Sequence, residues 1–276
     1  MTKILNGKEL ASYIKERQAH EVRSLRSQKK YPKLMIIRDS DNPVIVKYVN
    51  LKKQYGKDIN IDVIDQKINP VKDSESLAAA KKIVQSANDD STISGIIIQL
   101  PITDKNLTDD LVNIISPTKD VDGLNQTTKN IERKFESATA TAITWLLSGY
   151  GIELDGKKVA LVGYGKLVGK PLKRIFDNSN INTEVFRHNS DLTQLANFDV
   201  VISATGVPHL ITNSMLKPGA IVVDAGTASE DGVLVGDIDE SVRNRNDLTA
   251  ITPKIGGVGP LTITALFDNV IHATTR

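Results

Sequence analysis

The first half of the chain alternates between apolar runs of strand length and longer amphipathic segments. Residues 33–40, 60–66 and 94–101 predict β-strands, and the last of them is stopped by Pro101. Residues 44–58 and the alanine-rich stretch 74–89 predict helices, and a further helix is predicted to begin near Asn6. This βαβαβ order predicts a parallel sheet covered by helices.

The second half repeats this alternation after a predicted helix over residues 139–151. Strands are predicted over residues 157–165, 182–188, 199–206 and 219–227, and helices over 166–179, 191–197 and 259–276. The pattern predicts an α/β fold with two domains, one over residues 1–140 and one over 141–259. We expect the final segment, 260–276, to pack back onto the first domain.

One glycine-rich turn in the second half has the setting of a nucleotide site. The run VALVGYGKLVGKP is a predicted strand that leads through Gly163, Gly165 and Gly169 into a predicted helix. Glycines let a backbone approach a pyrophosphate closely, and a helix N-terminus offers it free N–H groups. The spacing is one residue longer than the common dinucleotide fingerprint, and the alternative is a tight turn without a ligand. The further βα units favour a Rossmann-type nucleotide-binding domain.

Residues at the ends of later strands bear on which nucleotide is bound. Arg187 follows the next predicted strand, where NAD-binding proteins usually carry an acid for the ribose 2′-hydroxyl. An arginine there indicates a 2′-phosphate and hence NADP, although a solvated surface charge is the alternative. Small residues end two further strands, in SATG with Thr205 and Gly206 and in DAGT at 224–227, and they leave room for a cofactor.

Polar residues in the first half are candidates for chemistry. Tyr48 and Lys52 lie four residues apart, on one face of the predicted helix. Taken alone, such a pair is more often a tyrosine packed on the stem of a surface lysine. Gln99 at the end of its strand, with Asp120 and Asp122 in a turn, belongs to the strand-exit loops where α/β proteins form active sites.

Composition excludes several classes of function. Only 4% of residues are aromatic and the charges, +2 in total, are interspersed, so we expect neither nucleic acid nor a membrane as partner. No cysteine is present, which excludes disulfides and thiolate chemistry, and the four scattered histidines predict no metal site. The start MTKILNGKEL lacks a secretory signal, and a cytoplasmic location is expected.

Seven collinear motifs resemble a known family. They are YVNLK (48–52), GIIIQLP (95–101), PTKDVDG (117–123), VGYGKLVGKP (162–171), KPGAIVVDAG (217–226), VGDID (235–239) and GGVGPLT (256–262). In order and spacing they are similar to bifunctional methylenetetrahydrofolate dehydrogenase/methenyltetrahydrofolate cyclohydrolase. The resemblance implies a catalytic domain and a Rossmann-type NADP domain with folate in the cleft between them, and a homodimer built through the cofactor domains.

The resemblance also implies roles for individual residues. Tyr48 would stack on the aminobenzoyl ring of the folate, Lys52 would transfer the proton of the hydrolytic step, and Gln99 would hold that lysine. The substrate residues would be Asp122, bonded to the pterin, together with Leu100, Pro101, Gly257 and Pro260. The cofactor residues would be Gly163, Tyr164, Gly165, Gly169, Arg187, His188, Thr205 and Gly206.

Three departures from the family pattern keep alternatives open. Tyr164-Gly165 stands where Arg-Ser is usual and Asn189 where serine is usual, and residues lost at these two places commonly serve the NADP 2′-phosphate. Ile45 replaces a serine close to the lysine, which would weaken the cyclohydrolase step. The alternatives are a dehydrogenase with altered cofactor preference, NAD included, and a folate- or nucleotide-binding protein without turnover.

Overall fold

The structure, a computed structural model, describes residues 2–129, 132–230 and 233–275 and divides into two compact units. One unit comprises Tyr13–Ala138 with Ile263–Arg276 and is called the 13–138 unit below. The other comprises Thr139–Thr262 with Met1–Ser12 and is called the 139–262 unit. The predicted α/β fold with parallel sheets and two domains is confirmed.

The helices and strands follow the predicted alternation closely. The strands are β1 Lys3–Ile4, β2 Lys33–Arg38, β3 Asp62–Lys67, β4 Gly95–Ile98, β5 Val159–Val162, β6 Thr183–Phe186, β7 Val200–Ser203, β8 Ile221–Asp224, β9 Ala228–Glu230, β10 Val233–Val235 and β11 Ala250–Ile251. The helices are α1 Gly7–Ser27, α2 Pro43–Asp58, α3 Ser74–Asp89, α4 Thr108–Val112, α5 Ala138–Gly149, α6 Gly169–Asn178, α7 Glu240–Arg243 and α8 Val258–Thr274.

The 13–138 unit is built on the parallel sheet β3-β2-β4. All four residues of β4 are buried, as expected of a central apolar strand covered on both faces. Asn42 begins α2, because its side-chain oxygen accepts a hydrogen bond from Val44 N at 2.9 Å, and Pro43 suits the first turn. Residues of α8 complete this unit, where the rings of Tyr55 and Phe267 stack with centroids 4.9 Å apart.

The 139–262 unit contains a six-stranded parallel sheet in the order β1-β11-β8-β7-β5-β6. The chain runs from β5 to β6 on one side and then to β7 on the other, so the strand order reverses at β5. In open α/β sheets ligands bind at such a reversal, outside the carboxyl ends of the strands. Gly163 and Ala204 follow β5 and β7 at this edge.

Several details differ from the sequence-based predictions. The range 1–140 placed the first residues in the first domain, whereas Lys3 and Ile4 pair with Ala250 and Ile251 of the other unit. Helix α6 begins three residues later than predicted, because residues 163–168 form the turn that leads into it. Residues 192–197 form a 3₁₀-helix. The short antiparallel pair β9 and β10 was not predicted, since each strand has only three residues, too few to show a period. No helix in the described ranges has the length and apolarity needed to cross a membrane.

Candidate active site

The 13–138 unit brings a lysine and a glutamine into direct contact at the carboxyl edge of its sheet. Lys52 lies on α2, and its Nζ donates a hydrogen bond of 2.6 Å to Oε1 of Gln99. Gln99 follows β4 directly, its backbone N bonds to Ile37 O of β2, and its side-chain Nε2 bonds to Leu100 O at 3.1 Å. The glutamine is therefore fixed from two sides and only 9% exposed, so it holds the amine in one position.

The charge state of Lys52 depends on two opposing effects. Burial is the larger effect, and it lowers the pKa of the Lys52 ammonium below its usual value. The negative charge of Asp122 acts in the opposite direction and raises that pKa. Burial also raises the pKa of Asp122, which Lys52 partly offsets. The net direction favours a neutral amine, the form that can accept a proton.

A second carboxylate shapes the loop that carries Asp122. Asp120 is buried, and its two oxygens accept hydrogen bonds from the backbone N atoms of Leu124 at 3.2 Å and Asn125 at 2.8 Å. Burial, opposed by these bonds, raises the pKa of Asp120 to about 6. Asp120 thus stabilises the turn that contains Asp122. The sequence alone did not assign this structural role to Asp120.

Tyr48 occupies the position one helical turn before Lys52 on α2. It is half-buried, and burial raises the pKa of its hydroxyl. Ile45, one turn earlier, is 5% exposed and belongs to the buried core, so it brings no hydroxyl to the site. Leu100 and Pro101 are joined by a cis peptide bond immediately after Gln99. These residues are close in sequence to Lys52 or Gln99 and lie in the same unit.

The glycine turn in the 139–262 unit has the geometry of a phosphate cradle. Gly163 has φ +97°, and a Cβ there would lie 2.6 Å from Ala204 O. A Cβ on Gly169 would lie 2.2 Å from Gly163 O, so the start of α6 approaches the turn as closely as only glycine allows. Nothing lies within 4 Å of the Cβ position of Gly165, which faces open space. The turn therefore fits a dinucleotide whose pyrophosphate would lie at the N-terminus of α6.

The residue after β6 stacks on the same turn. The Cζ atom of Arg187 lies 4.2 Å from the ring centroid of Tyr164. Arg187 and His188 are exposed and directly follow β6, so they lie beside the glycine turn. Gly257 and Pro260 also belong to the 139–262 unit, at the start of α8.

A buried polar cluster, unassigned by sequence reasoning, supports the loop after β7. Asp237 is fully buried, and its Oδ2 accepts hydrogen bonds of 2.7 Å from Ser203 Oγ and from the backbone N of Thr205. Asp224 lies close by, accepts the N–H of Asp237 at 3.1 Å and pairs with Arg243 at 2.5 Å. The bonds to Asp237 fix Thr205 at the carboxyl end of β7. The only signal for the cluster in the sequence was the run VGDID, to which no function was attached.

The fold and these two groups of residues define an α/β enzyme with a nucleotide-binding domain and a separate catalytic domain. The family model described as "Tetrahydrofolate dehydrogenase/cyclohydrolase, catalytic domain" matches residues 5–122, and the corresponding "NAD(P)-binding domain" model matches residues 137–276. The chain belongs to the tetrahydrofolate dehydrogenase/cyclohydrolase family.

Individual relatives agree over the whole length. The chain is 36% identical to the bifunctional protein FolD of Halothermothrix orenii, over 99% of this chain and 98% of that one. The crystal structure of the bifunctional enzyme FolD from Campylobacter jejuni has a TM-score of 0.90 and 30% identity, with 100% of this chain and 99% of that one covered. The enzyme of Trypanosoma brucei, solved with NADP and an inhibitor, has a TM-score of 0.90 and 27% identity, with coverage of 100% and 98%.

Proposed function

We propose that this chain catalyses two consecutive steps of one-carbon folate metabolism. The first oxidises 5,10-methylenetetrahydrofolate to the 5,10-methenyl cation, and the second hydrolyses that cation to 10-formyltetrahydrofolate. The observation that carries the proposal is the 2.6 Å hydrogen bond between Lys52 Nζ and Gln99 Oε1, in the unit that the catalytic-domain model matches. Membership of the family supplies the substrate class.

The hydrolytic step needs a base that takes a proton from water as it attacks the methenyl carbon. The neutral amine of Lys52 meets this requirement, since burial lowers its pKa. A new C–O bond forms as Lys52 accepts one proton of the water. The bond between that carbon and N5 of the resulting carbinolamine then breaks, N5 gains a proton as the new hydroxyl loses one, and the formyl group stays on N10. Gln99 keeps the amine at one position through the step.

Hydride removal requires alignment more than a protein nucleophile. The residues of the glycine turn and of the loops after β6 and β7 would hold NADP, which would supply the hydride acceptor when bound. That the pyrophosphate of the cofactor fits the glycine turn is supported by the close approach of Gly169 to Gly163. On the folate, Tyr48 stacks on the aminobenzoyl ring, Asp122 accepts hydrogen bonds from the pterin, and Leu100 and Pro101 line the substrate. The proposed contacts of Gly257 and Pro260 with folate rest on the family resemblance alone.

Replacement of the lysine by methionine tests the proposal. Lys52→Met keeps an unbranched side chain and removes the proton acceptor, so we expect hydrolysis of methenyltetrahydrofolate to fall by at least about 10²-fold. The matched control is Lys53→Met, which removes the same charge from the neighbouring exposed position of α2. A spectrophotometric assay follows both reactions, with NADP and NAD in parallel. Unchanged hydrolysis by Lys52→Met would remove this lysine from the mechanism.

One observation favours a second candidate, a dehydrogenase with little cyclohydrolase activity. Ile45 stands in the core where the family usually has a serine near the lysine, so a hydroxyl that assists hydrolysis is lost. The same assay separates the two functions, because this candidate predicts reduction of the dinucleotide with accumulation of the methenyl cation. A protein that binds folate without turnover would show neither reaction.

The proposal includes a homodimer and a cytoplasmic location, in keeping with the family resemblance and the sequence. Sedimentation of the purified protein measures the first, and fractionation of cells that express it measures the second. A monomer at all concentrations would contradict the homodimer.

A further inference from the structure

We propose that Tyr164 and Arg187 form the subsite for the adenosine 2′-phosphate of the cofactor, in place of the Arg-Ser pair that the family usually has in the glycine turn. This inference rests on the proposed function, since it concerns the nucleotide of the dehydrogenase step. It assigns cofactor choice to a stacked aromatic–guanidinium pair that the family pattern does not contain.

The sheet places Arg187 beside the phosphate-binding turn. Strands β5 and β6 are parallel neighbours with Val162 opposite Phe186, so Gly163 and Arg187 are the next residues of each strand. The backbone N of Gly163 also donates a hydrogen bond of 2.9 Å to Phe186 O. In Rossmann-type domains the residue that follows this second strand approaches the ribose 2′ position. Arg187 therefore occupies the position that distinguishes NADP from NAD.

The chain offers no free acid at this position to bind a 2′-hydroxyl. The three residues after β6 are Arg187, His188 and Asn189, and the first acid is Asp191. The Asp191 carboxylate caps the following 3₁₀-helix, since its Oδ1 accepts hydrogen bonds from Thr193 N at 3.0 Å and Thr193 Oγ1 at 2.7 Å. The bond between a carboxylate and the ribose that NAD-specific proteins use is thus replaced by a cation.

The stack orients the guanidinium for a phosphate. The ring of Tyr164 lies 4.2 Å from Arg187 Cζ, a distance typical of a cation–π contact. Within the described part of the chain no carboxylate pairs with Arg187, so its N–H groups stay available for an anion. The turn that carries Arg187 is closed by two bonds of 2.9 Å, from Arg187 N to Ser190 Oγ and from Ser190 N to Arg187 O. Side chain and backbone are both held before a ligand arrives, which reduces the entropy lost on binding.

Binding of two nucleotide fragments tests the subsite without any turnover. Calorimetric titration with adenosine 2′,5′-bisphosphate and with adenosine 5′-monophosphate measures the preference for the 2′-phosphate. We expect the intact protein to prefer the bisphosphate by at least about 10-fold, in line with one charge-assisted bidentate contact, and the preference to fall as salt is raised. Arg187→Gln should reduce the preference to less than about threefold.

Variants of the tyrosine separate stacking from charge. Tyr164→Phe keeps the ring and should keep the preference, whereas Tyr164→Leu should lower it several-fold, because the guanidinium loses its orienting surface. Lys158→Gln is the matched charge control, since it removes one positive charge at the opposite, amino end of β5. Thermal melts confirm that each variant is folded.

The possible results divide cleanly. An intact protein without preference for the bisphosphate, or an Arg187→Gln variant that keeps it, would overturn the subsite. A preference that depends on Arg187, found together with no turnover of methylenetetrahydrofolate by either NADP or NAD, would overturn the proposed function and leave the subsite standing.

Discussion

Gln99→Glu is the substitution that most directly tests whether the lowered pKa of Lys52 matters to hydrolysis. It replaces the side-chain amide by a carboxylate of the same size, at the place where the amide oxygen accepts a hydrogen bond from the Lys52 amine. At 2.6 Å two unit charges attract by roughly 6 kcal/mol at an effective dielectric constant of about 20. The hydrogen bond that is replaced contributes about 1.5–3 kcal/mol. The ammonium form of Lys52 is therefore stabilised by roughly 3–5 kcal/mol, which corresponds to about 2–4 pH units.

Desolvation of the new carboxylate offsets part of this gain. Gln99 is 9% exposed, and a buried carboxylate is itself costly, so we expect the lower end of the range, about 2 pH units. In the proposed mechanism hydrolysis of methenyltetrahydrofolate needs the neutral amine, so we expect its rate to rise with pH through the pKa of Lys52. The variant should be about 10²-fold slower near neutral pH and should regain about tenfold for each pH unit above it.

The assay is the rate of hydrolysis against pH, followed by loss of the methenyl absorbance. Gln99→Met is the comparison, since it removes the acceptor without adding charge. It should lower the pKa of Lys52, so any loss of rate should not diminish as the pH rises. Gln28→Glu controls for net charge, because Gln28 is exposed at the end of α1. The reasoning fails if the profile of Gln99→Glu coincides with that of the intact protein, or if its loss does not diminish as the pH rises.

Three further predictions concern the buried carboxylates and the glycine turn. The pKa of Asp120 is raised to about 6, above its unfolded value. Its contribution to stability is therefore complete below about pH 4 and is lost as the pH rises through 6. In urea unfolding, the free energy of unfolding of Asp120→Asn should rise relative to that of the intact protein by up to about 3 kcal/mol between pH 4 and 7. Asp237→Ala leaves Ser203 Oγ and Thr205 N without their acceptor. It should lower the free energy of unfolding by about 2–4 kcal/mol and raise the KM for NADP. Asp237→Asn keeps one acceptor and should lower the free energy of unfolding by less than about 1 kcal/mol. Gly169→Ala puts a Cβ 2.2 Å from Gly163 O. It should lower the free energy of unfolding by about 1–3 kcal/mol and weaken nucleotide binding in calorimetry. The Cβ of Gly165→Ala meets nothing within 4 Å, so this variant should have the melting temperature of the intact protein.

The sequence predicts most of the fold because parallel sheets have a strong local signature. Strands β4, β5 and β7 are buried along their whole length, so they appear as uninterrupted apolar runs between turn residues. The pair β9 and β10 has no such signature, and neither does β1, a two-residue strand whose partner β11 is distant in sequence. Pairing over that distance depends on tertiary structure, which local periodicity does not encode.

The site divides in the same way. Glycines at 163 and 169 have a local signature, because their backbone positions exclude a side chain. The contact of Lys52 with Gln99 joins residues 47 positions apart. The sequence could therefore indicate each residue as a candidate but could not show that the two side chains form a hydrogen bond. The hydrogen bonds of Asp237 to the loop after β7 span more than thirty residues. Such supporting contacts become visible only when the strands are assembled.

In the proposed mechanism, the two effects on the pKa of Lys52 allow the amine both to accept and to release a proton. Burial outweighs Asp122, so the amine is biased toward its neutral form before substrate arrives. The methenyl cation adds repulsion in the same direction. As water attacks, the cation is consumed while the amine becomes an ammonium, so the total charge of the site stays constant during the step and little electrostatic work is required. The ammonium then remains in a buried position that disfavours it, and this same bias drives the proton out and restores the base.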